Sequence, residues 1–419
     1  MEGLSLVFCA LFVVTLFDFA YTTRAGFLSQ EYTNTPPTTP YTHVTFCEIV
    51  PFHKKSSQPA WEDQCQEWRE KMSELGLPLP CCIWLKVLSQ EWREKMSELG
   101  QRMAHAKVGL VYFVHGTFAG DDPFGIVHVI RNAYPKLSSK LKKANDYIKR
   151  RTDAVLADKG NYLPEYVELF EKAIGGNIPC ERFIWSSENH HWGRLKEAIK
   201  FAENLAANIK EKNLSRGERI LLIGHSHAGQ LFALLTNFLA RSQGVHELLK
   251  VLVLRGVDVA QFDKALAVIR EIQLDIVTFG TPPRYSWGKG NYRLLNIINH
   301  RGHGYLGGCM KGFLRTKDGD YVQQWGIAGT DIPALADNGL NKQLDQYLGT
   351  GFNINIWLKN IRARMRVPHY GETILVDYKN ASLFFPNCTK TLFGHGVYTK
   401  FEKMLFNTQL IANTWYRKL

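Results

Sequence analysis

The sequence predicts an α/β protein with a mostly parallel central sheet and helices on both faces. Three observations carry this. From about residue 107, short β-rich apolar runs alternate with helical stretches, the pattern of strands joined by crossover helices. Several of these runs are apolar nearly throughout, as strands covered on both faces must be. The chain has 419 residues, of which 45% are hydrophobic and 21% charged, enough to bury a sizeable core and too apolar for disorder. Residues 107–419 are read as this domain, with 121–180 as an insertion that would form a helical cap, and residues 1–106 as an N-terminal extension.

The expected strands are 108–114 (VGLVYFV), 182–186 (RFIWS), 219–223 (RILLI), 274–279 (LDIVTF), 293–298 (RLLNII) and 373–378 (TILVDY). Leu195, Ile199, Ala202, Leu205, Ala206 and Ile209 recur at helical spacing within 194–212. Residues 229–241 (GQLFALLTNFLAR) read as a second helix, apolar almost all round and therefore buried.

The first hundred residues look different. Residues 4–20 (LSLVFCALFVVTLFDFA) form an apolar stretch resembling a secretory signal, although no Lys or Arg precedes it and Asp18 lies near its end. Secretion follows if residues 1–20 act as a signal peptide, and a cytoplasmic location otherwise. Residues 21–60 are rich in Thr, Pro and Ser and read as a lead-in. QEWREKMSELG occurs at 66–76 and again, letter for letter, at 90–100. Two units are too few for a stable repeat array, so the copy reads as a recent local duplication. Residues 1–100 are accordingly expected to contribute little to the core.

The formal net charge of +12 favours anionic partners, including a membrane surface. The basic residues are scattered, however, and the densest run, Lys140 to Arg151, reads as the solvated side of a helix. No helix-turn-helix, RNP or zinc-finger pattern supports nucleic-acid binding. The eight cysteines contain no CxxC pair and signal no zinc-ribbon or redox site. Sequons occur at Asn213, Asn380 and Asn387, a number chance alone supplies in a chain this long.

The chemistry concentrates in RILLIGHSHAGQLFALL. A strand ends at Ile223, Gly224 to Gly229 follow, and a helix begins at once. Ser226 then stands on a sharp strand-to-helix turn that pushes its Oγ out of the sheet, beside the positive end of a helix. Small residues are needed two before and two after the serine, because the turn brings strand and helix backbones together. Here they are Gly224 and Ala228, a departure from GxSxG by one methyl. A second strand ends in HG within VYFVHGTFAG, where the other half of an oxyanion hole is expected. The backbone N–H groups of Thr117 and His227 are the candidate donors.

A serine nucleophile needs a base and an acid, in the chain order Ser, acid, His. His395, in LFGHGVYTKFEKMLF, follows the last expected strand and is flanked by Gly394 and Gly396. His369 precedes that strand and suits the role less well. The acid should follow strand 293–298, where the first carboxylates are Asp318, Asp320, Asp331 and Asp337. Asp331, in WGIAGTDIPAL, lies in a turn whose N–H groups could hold a carboxylate and is favoured. Asp320 and Asp377 remain alternatives.

Together VHGTFAG, GHSHAGQ, the TFGTP run at 278–282 and GHGVY resemble lipases and esterases of the α/β-hydrolase superfamily. The resemblance covers about residues 107–419. It implies a Ser–His–acid triad, an acyl-enzyme and hydrolysis of a small-molecule or lipid carboxylic ester, without a cofactor. Ser226, His395, Thr117 and His227 match the family pattern, whereas Asp331 matches only by chain order. Other acyl-transfer enzymes (thioesterase, amidase, acyltransferase) share such a triad, and a binding protein on a hydrolase fold stays open. His225 and His227 flank the nucleophile but have no evident third partner for a metal, so packed histidines are expected there.

Overall fold

The computed structural model describes residues 41–45 (as backbone), 89–116, 160–301, 318–332, 337–362, 370–378 and 394–416. The apolar stretch 4–20, the first copy of the duplicated segment, the basic run at 140–151, Thr117, His303, His369, Asn380, Asn387 and every cysteine but Cys180 lie outside the described residues.

The strands are β1 (Tyr41–Thr45), β2 (Val108–Val114), β3 (Cys180–Phe183), β4 (Arg219–His225), β5 (Gln273–Phe279), β6 (Tyr292–Arg301), β7 (Asp318–Gly319) and β8 (Glu372–Asp377). They form one sheet in the order β1-β8-β6-β5-β4-β2-β3, with β7 off that path. Every neighbouring pair along this path is parallel; only β7, on β6, is antiparallel. The strands read from the sequence are all present, most of them extended or shifted by one to three residues.

The period-two geometry of a strand sorts its side chains between two cores. Leu110, Tyr112, Val114, Ile220, Leu222, Leu274 and Ile276 point to one face. There they meet α3 (His191–Glu211), α4 (Ala228–Ala240), α5 (Val245–Leu254) and α6 (Val259–Arg270). Val111, Phe113, Leu221, Ile223, Val277 and Phe279 point to the other. That face is covered by α1 (Gln90–His105), α2 (Pro164–Ala173) and α10 (Met404–Trp415). Both faces are therefore covered, and polar side chains within the strands, such as Asp275 and Thr278 of β5, are buried with hydrogen-bond partners. The helices expected at 194–212 and 229–241 are α3 and α4. Between β7 and β8 lie α7 (Tyr321–Trp325), α8 (Asn338–Leu348) and α9 (Ile354–Arg362).

Three expectations need correction. The Thr/Pro-rich lead-in contributes β1, which extends the sheet beyond β8. The second copy of QEWREKMSELG is not peripheral: it is most of α1, and its Trp92, Met96 and Leu99 are buried with Met103 in the core. Ser89 caps its first turn by accepting from the Trp92 N–H, and its hydrophobic residues recur every three or four positions, so one stripe faces the sheet. Arg102 leaves α1 buried and donates to the carbonyls of Ala412 and Tyr416, at the C-terminal end of α10, and to the Asn413 side chain. A guanidinium there adds a second donor to the Ala412 carbonyl, which already accepts the Tyr416 N–H, fills that of Tyr416, and opposes the negative end of the helix dipole. Finally, residues 160–180 are not part of a cap. Tyr162, Tyr166 and Phe170, in and just before α2, are buried against Phe113 of the sheet.

If α1 is core, Met96→Ala, at a fully buried position, should cost about 2–5 kcal/mol of unfolding free energy in a urea titration. A loss below about 0.5 kcal/mol would be that of a surface substitution and would contradict the packing.

Candidate active site

The region is built where the C-terminal ends of the central strands meet. β4 runs out at His225, and Ser226 adopts a left-handed backbone with φ of 55° before α4 begins at Ala228. A residue with a Cβ avoids this conformation at a cost of order 1–3 kcal/mol, so the surroundings must impose it. They do so from both sides. The Ser226 N–H donates to the Phe279 carbonyl at the end of β5 (2.8 Å), and the Thr281 hydroxyl donates to the Ser226 carbonyl (2.7 Å). The TFGTP run thus clamps the serine's peptide groups. Gln230, in the first turn of α4, adds a bond to the Pro282 carbonyl.

Close packing explains the small residues. A Cβ at Gly224 would stand 2.5 Å from the Phe232 ring and 3.2 Å from the Ala228 methyl. The requirement for glycine holds at 224 and again at 229, where a Cβ would stand 2.3 Å from the Thr281 hydroxyl, while position 228 between them carries a methyl.

His395 follows β8 and the segment beyond it. Its Nδ1 lies 2.8 Å from Oδ2 of Asp320. A carboxylate oxygen only accepts, so Nδ1 carries the proton and Nε2 is left with its lone pair. Asp320 is fully buried and holds further bonds. Oδ2 also accepts from the Tyr398 hydroxyl (2.7 Å), and Oδ1 accepts from the Gln323 N–H (2.8 Å), capping α7. The Asp320 N–H donates to the Asn299 carbonyl at the end of β6, which fixes the carboxylate's place in the sheet. The Asn299 N–H donates to the Tyr398 hydroxyl, and Asn299 Nδ2 to the Gly394 carbonyl. Gly280, at φ of 58°, leaves the space these groups fill: a Cβ there would stand 2.5 Å from Oδ2 of Asp320.

The carboxylate on His395 is thus Asp320 and not Asp331, correcting the favoured sequence reading. Asp331 belongs to a separate buried ion cluster. Nη2 of Arg194 reaches both its oxygens (2.9 and 2.7 Å), and Nη2 of Arg284 lies 2.9 Å from Oδ2. Burial works to raise the Asp331 pKa, but the guanidinium groups of Arg194 and Arg284 outweigh it and hold the carboxyl below its ordinary range. The GTDIP turn does orient a carboxylate, but towards cations contributed by α3 and by the segment after β5. Asp377 closes β8, in register with Thr45 of β1, and is not the His395 partner either. Asp320 carried a signal of its own: D-x-x-Q ahead of YVQQW is the pattern of a helix N-cap. That reading gives Asp320 a local structural task and does not disclose its second oxygen.

Around these groups the chain is tied down further. His225, beside the serine and 1% exposed, has Nε2 2.9 Å from the His395 carbonyl and Nδ1 3.1 Å from the Gly160 carbonyl. Its ring centroid lies 4.5 Å from that of His395. His227, on the far side of Ser226, opens α4, so its backbone stands at the positive end of that helix. Its side chain is buried, and burial, then Arg194 and Arg284, push its pKa well below the usual value. It stays neutral. Gly116 follows β2, and its carbonyl is occupied by the Ser187 hydroxyl (3.0 Å) and by Nδ1 of His115 (2.8 Å). Thr117 follows directly and falls outside the described residues. Among the described residues, no group of three or more His, Cys, Asp or Glu is placed to hold a metal ion, and no helix is long and apolar enough to cross a membrane.

No family model, curated protein or solved structure matches the chain.

Asp331 and Asp320 make separable predictions. Asp331→Asn leaves two buried guanidinium groups without their carboxylate and should cost about 3–5 kcal/mol of stability, seen as a lowered melting temperature. Because its folded pKa lies below the unfolded value of about 3.9, the stabilisation is present above that value and fades as pH falls through the folded pKa. The wild type should therefore lose melting temperature more steeply than Asp331→Asn below about pH 4.

Proposed function

We propose that the protein is a serine hydrolase of the α/β-hydrolase class that cleaves carboxylic esters, with Ser226 as nucleophile, His395 as base and Asp320 as the orienting acid. The observation that carries this is the meeting of two unrelated constraints. A serine in a left-handed bend follows β4, and the residue before it contacts an imidazole whose Nδ1 is hydrogen-bonded to a buried carboxylate. The order in the chain, 226, 320, 395, is the order this class uses. A parallel sheet with helices on both faces supports the same class.

The chemistry follows. Nε2 of His395 takes the Ser226 hydroxyl proton as Oγ attacks the ester carbonyl. The imidazolium that forms keeps its Nδ1 proton on Asp320, which holds the ring in one orientation and offsets the new charge. The tetrahedral oxyanion is held by the backbone N–H of His227, at the start of α4, and by that of Thr117. Collapse returns the proton to the leaving alkoxide, and water repeats the sequence on the acyl-enzyme.

Four variants test the proposal. The wild type should react with a fluorophosphonate probe and hydrolyse an ester panel, and Ser226→Ala should do neither. Asp320→Asn should lower kcat by about 10⁴-fold, because it removes the acceptor that fixes the tautomer. Asp331→Asn, assayed below its melting temperature, should retain most of its turnover. Tyr398→Phe removes one of the two donors to Oδ2 and should lower kcat about tenfold. Equal labelling of wild type and Ser226→Ala would end the hydrolase reading.

A further inference from the structure

A neutral imidazole has one N–H and one lone pair, yet both ring nitrogens of His225 face carbonyl oxygens. One of those contacts is a hydrogen bond, and the other sets a lone pair against a carbonyl. Protonating both nitrogens would satisfy both, and the two carbonyls do pull the pKa up. Burial and the adjacent His395 outweigh them and hold it well below the ordinary value. The ring is therefore neutral, and the proton must choose.

Each carbonyl faces only a His225 nitrogen among the bonds described, and it is the residues around them that are held differently. Gly160 is anchored through its own N–H, which donates to Thr399 Oγ1 at 2.7 Å. The His395 loop has Gly394 tied by Asn299 and the His395 ring tied by Asp320, while the carbonyl between them faces only Nε2 of His225 among the bonds described. That contact is also the shorter of the two, at 2.9 Å against 3.1 Å.

We propose that His225 is a positioning residue that, as the Nε2–H tautomer, donates to the His395 carbonyl and fixes the backbone of the base against the backbone of the nucleophile. The proposal rests on the roles given above to Ser226 and His395. His225 precedes Ser226 directly, so the bond is a strut between the two reacting residues that does not pass through Asp320. Asp320 sets how the imidazole is turned, and His225 sets where its backbone stands. A shift of about 1 Å in that position is worth about 100-fold in rate. Substrate binding does not depend on the strut, so the effect belongs in kcat rather than KM.

The test uses amide mimics of the two imidazole nitrogens. Glutamine places its NH₂ near the position of Nε2, and asparagine near that of Nδ1. In the full chain, His225→Gln should keep kcat on an activated ester within about tenfold of wild type, while His225→Asn and His225→Leu should lose about 100-fold or more, all with KM within about threefold. Melting temperatures of the three variants identify any that fail to fold. Equal kcat for folded Gln and Asn variants, whether high or low, overturns the strut. A second measurement needs no variant: ring ¹⁵N shifts of His225 in labelled wild type should report protonated Nε2 and bare Nδ1. Protonation at Nδ1, or at both, overturns the proposal. A wild type inert to esters and to fluorophosphonate would instead sink the hydrolase reading, and the ¹⁵N shifts would still decide the tautomer.

Discussion

The region around Ser226 depends on a backbone that would not hold its shape alone. A left-handed serine between a strand and a helix is unfavourable, and it persists because the end of β5 grips its peptide groups at both ends. Phe279 takes the N–H and Thr281 gives a proton to the carbonyl. Neither contact involves the hydroxyl itself. The strain is therefore met by groups with no part in the proposed chemistry, which leaves Oγ uncommitted by the clamp. The parallel pairing of β4 with β5, in register from Arg219 to His225, delivers the TFGTP turn to that spot.

Asp320 shows how one side chain joins local and distant structure. One oxygen caps the helix that follows it, and the other receives His395 and Tyr398. The cap fixes the carboxylate's rotation before the imidazole arrives. Asp331 is a carboxylate of similar burial with a different fate, since the two guanidinium groups beside it absorb its acceptor capacity. Burial first, and then Arg194 and Arg284 of this cluster, push the His227 pKa well below its usual value.

Much of the fold was legible because burial on both faces leaves an unmistakable mark. β2 and β4 read as mostly apolar runs, β5 as one interrupted by Asp275 and Thr278, and α3 and α4 as periodic or almost wholly apolar helices. The bend at Ser226 was legible because its geometry admits few residues: neither Gly224 nor Gly229 has room for a methyl, and position 228 between them carries one. What escaped the reading was set by long-range pairing. β1 is a short strand in a Thr-rich stretch and gains its meaning only from β8. The α1 helix was discounted because its sequence is duplicated, although its spacing of Trp92, Met96 and Leu99 is that of a core helix. The choice between Asp320 and Asp331 turned on partners 78 and 137 residues away, Tyr398 for Asp320 and Arg194 for Asp331, which no local pattern encodes.

The guanidinium of Arg102 reaches carbonyls 310 and 314 positions further along the chain. Loss of α10 would therefore uncover apolar surface on α1 and at the same time leave a buried cation without its acceptors.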